Sequence, residues 1–137
     1  MHSDRNALEV LTRLECLDLL GTVRLGRLGV SIGALPVILP VRFALMDDAI
    51  VLRSASGSKL DAAVAGAVVA FEADRIDHAA AGSWSVLAQG VAQVLADPRE
   101  LAAAETLGLR PWAPGGNDRY VKIDTQIISG RRLSAPA

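Results

Sequence analysis

These 137 residues predict a mainly β fold: an antiparallel sheet of about six strands, curled into a small barrel and interrupted by three short helices. Two observations carry the prediction. Apolar runs of strand length, rich in Val, Ile and Leu, recur between Gly, Pro and Asp punctuation. Most are joined by tight turns, such as Gly33-Ala34 and Asp47-Asp48, which suit antiparallel neighbours rather than parallel crossovers. The length suits one domain, 1–137, with a single core.

The elements follow in order. Met1 to about Val10 reads as frayed, then helical. Thr12-Arg13-Leu14-Glu15 is a capping box, with Leu14, Leu17 and Leu20 on one face behind it and Gly21 as the stop. Cys16 lies inside that helix and reads as packing. Thr22 to Ile32 is a strand kinked near Gly26 to Gly29. Leu35 to Met46 is a second strand, placed at an edge or bulge by Pro36 and Pro40, which cannot donate to a ladder. Ala49 to Arg53 returns as the third.

A polar turn then leads into a short helix ending at Gly66. Ala67 to Ala73 is apolar except for Glu72 and is expected to be a strand covered on both faces. Asp74 to Gly82 is a polar loop. Trp84 to Ala96 is a long strand that Gly90 lets bend. Asp97-Pro98-Arg99-Glu100 supplies an N-cap, a proline at N1 and a glutamate at N3 for a helix closed by Gly108. A loop containing Trp112 precedes the last strand, Arg119 to Ser129. Gly130-Arg131-Arg132 ends the ordered chain as a solvated basic tail.

The polar turn, Arg53-Ser54-Ala55-Ser56-Gly57-Ser58-Lys59, is the segment that carries chemistry. It sets hydroxyls and two cations where a strand hands over to a helix, and backbone N–H groups at a helix start are short of partners. Two readings stand. Ser58 with Asp61 matches a capping box, which needs no ligand. Alternatively Arg53 and Lys59 flank an anion, for a cap requires no cation at the strand end. The turn is not a Walker A loop, because the glycine spacing before Lys59 is wrong and no Ser or Thr follows it.

Composition excludes several classes. A net charge of −1 and four per cent aromatics argue against a groove for single-stranded nucleic acid. One cysteine rules out an intrachain disulfide and suits a reducing cytoplasm. The uncharged stretch Leu28 to Val41 is broken by glycines and prolines and is too short to cross a bilayer as a helix. His2 and His78 have no partners at metal-ligand spacing, and no Ser/His/Asp set is visible. No metal and no catalytic side chain are expected. The high Ala, Val and Leu content points to a surface buried against a second copy.

Taken together, Leu14-Glu15-Cys16-Leu17, Gly26-Arg27-Leu28-Gly29-Val30-Ser31, Leu39-Pro40-Val41-Arg42-Phe43 and Ser58-Lys59-Leu60-Asp61 have a familiar order. They are followed by Val69-Ala70-Phe71-Glu72, Gly82-Ser83-Trp84-Ser85-Val86-Leu87, Gln89-Gly90, Pro111-Trp112-Ala113-Pro114-Gly115 and Gly130-Arg131-Arg132. Over nearly its whole length the chain resembles the pyridoxamine 5'-phosphate oxidase-like, FMN-binding split-barrel proteins, in particular their small actinobacterial-type members.

The resemblance implies a six-stranded split barrel and a homodimer with flavin sites in the clefts between subunits. It implies that FMN is the cofactor, its phosphate cradled by Arg53, Ser54, Ser58 and Lys59. Arg42 and Phe43 then lie near the ring, with Trp84 and Ser85 on a neighbouring strand and Trp112 reaching in from the partner. Trp84, read on its own strand, is more often a core residue; with the resemblance the two readings stand even. Many relatives carry Asn where this chain has Arg42, so a cation either stabilises reduced flavin or pairs with an acid. The chain is shorter than the true oxidases and lacks their pyridoxal-phosphate contacts.

The implied function is a flavin-dependent oxidoreductase in the cytoplasm. It passes hydride or electrons from a nicotinamide or other reduced small-molecule donor to a small-molecule acceptor, the cofactor supplying the chemistry. The alternative is a non-catalytic module of the same fold that binds flavin, deazaflavin or haem.

Overall fold

A computed structural model describes residues 8–55, 57–77, 82–110 and 118–133, with the side chain of Lys59 outside that set. His78 and Trp112 also fall outside it. The elements run β1 (Leu8–Val10), α1 (Arg13–Leu20), β2 (Leu25–Ile32), β3 (Leu35–Arg42), β4 (Ala44–Met46) and β5 (Ala49–Ala55). They continue with α2 (Lys59–Val64), β6 (Val68–Arg75), β7 (Trp84–Val94), α3 (Pro98–Glu105), β8 (Asp118–Ile123) and β9 (Ile127–Leu133).

All ladders are antiparallel, in the order β3-β2-β6-β7-β8-β5-β4, with β9 pairing both β7 and β1. The mainly β, curled antiparallel architecture expected from the sequence is what forms. The strand count differs: the described residues form nine strands rather than six.

The difference has a physical origin in partner exchange. The expected strand Leu35 to Met46 is cut at Phe43, because Leu35–Arg42 pairs with β2 whereas Ala44–Met46 pairs with β5. The expected last strand is cut after Ile123, where pairing passes from β5 and the end of β7 to the beginning of β7. Leu8–Val10, expected to be frayed and then helical, is a strand held by β9.

Strand β7 is the spine on which the sheet curls. One edge pairs with β6 from Trp84 to Val91; the other pairs with β9 over Trp84 to Gln89 and with β8 from Ala92. Gly90 lies at the changeover. A Cβ there would stand 2.4 Å from the carbonyl oxygen of Asp124, so only glycine lets the two chains cross so closely.

Two sequence expectations about strands need correction. β2 pairs with β3 without interruption from Leu25 to Ile32, so the glycines make no kink. Gly26 instead admits the Phe71 ring, whose Cζ would be 2.3 Å from an added Cβ. β6 is buried on one face only: Val69, Phe71 and Ala73 are buried, while Val68 is 74% exposed. The hairpin turns are as expected, with Gly33, Ala34, Asp47 and Asp48 all at positive φ, the geometry of two-residue connections between twisted strands.

Inside the curl, Leu20, Leu28, Val41, Ile50, Leu52, Phe71, Val86, Val121 and Ile123 are buried, each contributing about 1.5–3 kcal/mol. A second cluster, Met46, Val51, Leu95 and Ala104, seats α3 on the outside of β5. Cys16 is fully buried, its sulfur against Gly130, and burial pushes its thiol pKa up. Arg132 is no solvated tail. It pairs with Glu9 and Glu15, each at 3.3 Å, and ties β9 to β1 and α1. No helix among the described residues is long and apolar enough to cross a membrane.

The curl has a seam. β3 and β5 approach each other without forming a ladder, and α2 packs against both β2 and β5. Arg42 ends the strand on one side of it and Arg53 lies on the other.

Candidate functional site at the seam

The β5–α2 turn is built from its own polar groups. Ser58 is the N-cap, its Oγ accepting from the amide of Asp61 at 3.0 Å. The Asp61 carboxylate accepts from the amide of Gly57 at 3.0 Å and from Arg119 Nη2 at 2.6 Å. Ser58 N donates to the carbonyl of Ala55. The capping reading is therefore realised, although Asp61 turns to Gly57 rather than closing a reciprocal box with Ser58.

Among the described residues, three buried atoms on β5 and α2 have no hydrogen-bond partner: Arg53 Nε, Ser54 Oγ and Asp61 Oδ1. Such groups each cost about 1–3 kcal/mol when left unsatisfied; Arg53 shares the outer face of β5 with Val51, whereas Ser54 shares the inner face with Leu52. Arg53 is held from three sides. Its Nη1 donates to the carbonyl of Leu109 at 2.9 Å, its guanidinium lies 5.4 Å over the Tyr120 ring, and its Nε stands 3.4 Å from Asp118 Oδ2. That last contact is an ion pair without a hydrogen bond. Nη2 has no partner among the described residues.

Beside this corner opens a cleft of about 880 Å³. Its walls are the end of α1 and the chain leading into β2 (Leu20, Gly21, Val23, Arg24, Leu25), the bend Arg42-Phe43-Ala44-Leu45, and the segment Leu107-Gly108-Leu109-Arg110 after α3. Phe43 is 2% exposed, is gripped edge-on by Phe71 with 4.7 Å between centroids, and donates its amide to the carbonyl of Arg24. The wall is thus rigid and apolar, and its charges are Arg24, Arg42 and Arg110. Among the described residues no carboxylate lines it. A recess of about 10 Å³, lined by Val41, Arg42, Arg53 and Arg110, shares Arg42 and Arg110 with the cleft.

The structure brings together some of the expected site residues and separates others. Arg42 and Phe43 line the cleft; Arg53 reaches the recess beside it, with Ser54 next along β5 and Ser58 capping α2. Trp84 is a core side chain, 5% exposed. Ser85 sits on the outer face of the sheet opposite Asp74 and Arg131. Both lie at the far end of the 11-residue strand β7 from its pairing with β8. Lys59 opens α2, but its side chain, like Trp112, is outside the described residues. Arg24 and Arg110 escaped the sequence reading. Each is a lone arginine in a connection, and only the packing of β2 beside the segment after α3 makes them neighbours.

Residues 12–132 match the family model described as pyridoxamine 5'-phosphate oxidase, and the chain belongs to that family. An uncharacterised protein of Mycobacterium tuberculosis is 36% identical over 97% of this chain and 91% of its own length. Among solved structures, the FAD-binding protein of Mycobacterium smegmatis superposes with a TM-score of 0.80 at 35% identity, over 90% of this chain and 98% of that one. An FAD-binding protein of Mesorhizobium loti gives a TM-score of 0.73 at 25% identity, over 93% of this chain and 99% of that one.

Proposed function

We propose that the protein binds a flavin nucleotide across the seam. The phosphate lies at the β5–α2 corner against Arg53, Ser54, Ser58 and Lys59, and the ring runs along Arg42 and Phe43. The observation that carries this reading is a rigid apolar wall rimmed by arginines, with Arg53 Nε and Ser54 Oγ buried without hydrogen-bond partners nearby. A planar apolar ring bearing a phosphate satisfies both at once. The FAD-binding relatives support the same class of ligand, and FMN and FAD share the ring and the first phosphate.

Bound flavin supplies hydride or electron transfer. The chain binds the phosphate, orients the ring and keeps water from one face of it. Among the described residues, those lining the cleft are apolar residues, glycines and arginines, and arginine does not exchange protons near neutral pH. That observation favours a second reading, a flavin carrier without turnover, over any scheme that needs acid–base catalysis by the protein.

The outer sheet face supports a homodimer. Ile38, Gly29, Ala70, Gln89 and Ile127 form one row across β3, β2, β6, β7 and β9, with Val68, Val91 and Leu87 on the same face. Ile38, Val68 and Ile127 are 65–75% exposed. This face ends at Leu25 and Arg42, which pair across β2 and β3 and also line the cleft. A second copy docked here reaches the mouth of the cleft.

The test is spectroscopic. Purified protein should be yellow or become so with FMN or FAD, with a micromolar or lower Kd from flavin fluorescence. No binding of either flavin overturns the proposal. Reduction of bound flavin by NADH or NADPH, with reoxidation by an added acceptor, separates an oxidoreductase from a carrier.

A further inference from the structure

We propose that the two protomers of the dimer pack with β7 of each along the molecular two-fold axis, so that Arg131 of one protomer lies over Asp74 of the partner subunit. The proposal rests on the homodimer reading and not on the flavin. A closed dimer meets through the same patch twice, so a two-fold running along β7 exchanges the strands on its two sides. On one side lie β6 and then β2, on the other β9 and then β1. β6 of one protomer therefore faces β9 of its partner, and β2 faces β1.

Charge and shape both match in that arrangement. Arg27 lies 3.1 Å from the Glu72 carboxylate and 3.2 Å from that of Asp74, one cation for two acids, which leaves the cluster one negative charge in excess. Arg131 is exposed on the same face, level with Asp74 through Ser85. It makes no ion pair or side-chain hydrogen bond among the described residues. Within one protomer the two stand two strand spacings apart, about 9–10 Å; the exchange brings them face to face. The apolar side chains fit the same exchange. Val10 is exposed at the level of Arg131, and Leu25 is exposed at the level of Asp74, two residues along β2 from Arg27, so these two meet. Ile127, also exposed, is level with Ala70 and Gly29, whose small size leaves a hollow where the partner's isoleucine seats. Sheets packed face to face stand about 10 Å apart, a gap that side chains of this length fill.

Sedimentation velocity on Arg131→Glu, on Asp74→Lys and on their equimolar mixture tests the arrangement. Each variant alone sets like charges opposite one another twice and should dimerise at least about tenfold more weakly than the wild type. In the mixture both contacts are opposite in sign, so a heterodimer of wild-type strength should form and should weaken in high salt. Arg131→Gln, which removes the charge without adding another, should weaken the dimer severalfold and flatten its salt dependence. Thermal melts of each variant alone separate lost pairing from lost fold. A dimeric wild type whose folded variants dimerise undiminished, or folded and weakened variants that mixing does not restore, overturns the arrangement alone. A wild type that is monomeric at micromolar concentration overturns the homodimer reading and the arrangement with it.

Discussion

At the scale of single residues, two glycines in β2 show what the fold demands of its side chains. A Cβ on Gly26 would meet the buried Phe71 ring at 2.3 Å and the carbonyl of Glu72 at 2.8 Å, whereas one on Gly29 would rest 3.5 Å from Ala70 Cβ. Gly26→Ala should therefore destabilise by about 1–3 kcal/mol or more, and Gly29→Ala by no more than about 0.5 kcal/mol. Urea denaturation of the two variants checks this, and equal losses would contradict the packing described. For the site, Arg53→Gln should weaken flavin binding by about 1.5–3 kcal/mol, the range for a hydrogen bond to a charged group. Melting temperature measured alongside separates lost affinity from lost fold, since Arg53 also anchors Leu109 and Asp118. The place of Arg53 at the strand end beside the β5–α2 turn was legible in the local pattern, whereas Arg42 and Phe43 were singled out only through the family resemblance. Arg24 and Arg110 were not, because a solvated arginine and a cleft arginine look identical until distant segments meet.

At the scale of elements, the sequence revealed where strands exist better than where they change partners. Apolar alternation is local, so the stretches around β2, β5 and β7 were readable. The breaks at Phe43 and after Ile123 depend on which strand lies alongside, and no nearby residue encodes that. The outer face of the sheet also carries a charged cluster. Arg27 pairs with Glu72 at 3.1 Å and with Asp74 at 3.2 Å. Burial, reinforced by the hydrogen bond and charge of Asp74, raises the pKa of Glu72 above its ordinary 4.5 despite Arg27. A carboxyl with a raised folded pKa binds protons more readily in the native state, so its contribution to stability declines as pH rises above 4.5 through the folded value. Thermal melts of the wild type should lose stability over that interval relative to Glu72→Gln. Parallel profiles would show that the two carboxyls do not compete.

At the scale of the whole molecule, the seam, the cleft and the apolar sheet face form a connected system. Strand β3 ends at Arg42 where the outer face meets the cleft, and the chain turns through Phe43 to cross from one half of the sheet to the other. Closing the barrel there would fill the site; leaving it split creates the cavity. The proposed dimer face should be breakable without harming the core: Val68→Asp or Ile127→Asp, both at exposed positions, should convert dimer to monomer in analytical ultracentrifugation. A wild type that sediments as a monomer at micromolar concentration would contradict the dimer.

The account turns on where a flavin sits, and a crystal structure of the flavin-loaded protein measures that directly. It should place the phosphate within hydrogen-bonding distance of Arg53 at the start of α2, with the ring against the Arg42–Phe43 bend. Flavin bound elsewhere, with that corner occupied by the chain's own side chains, would contradict it.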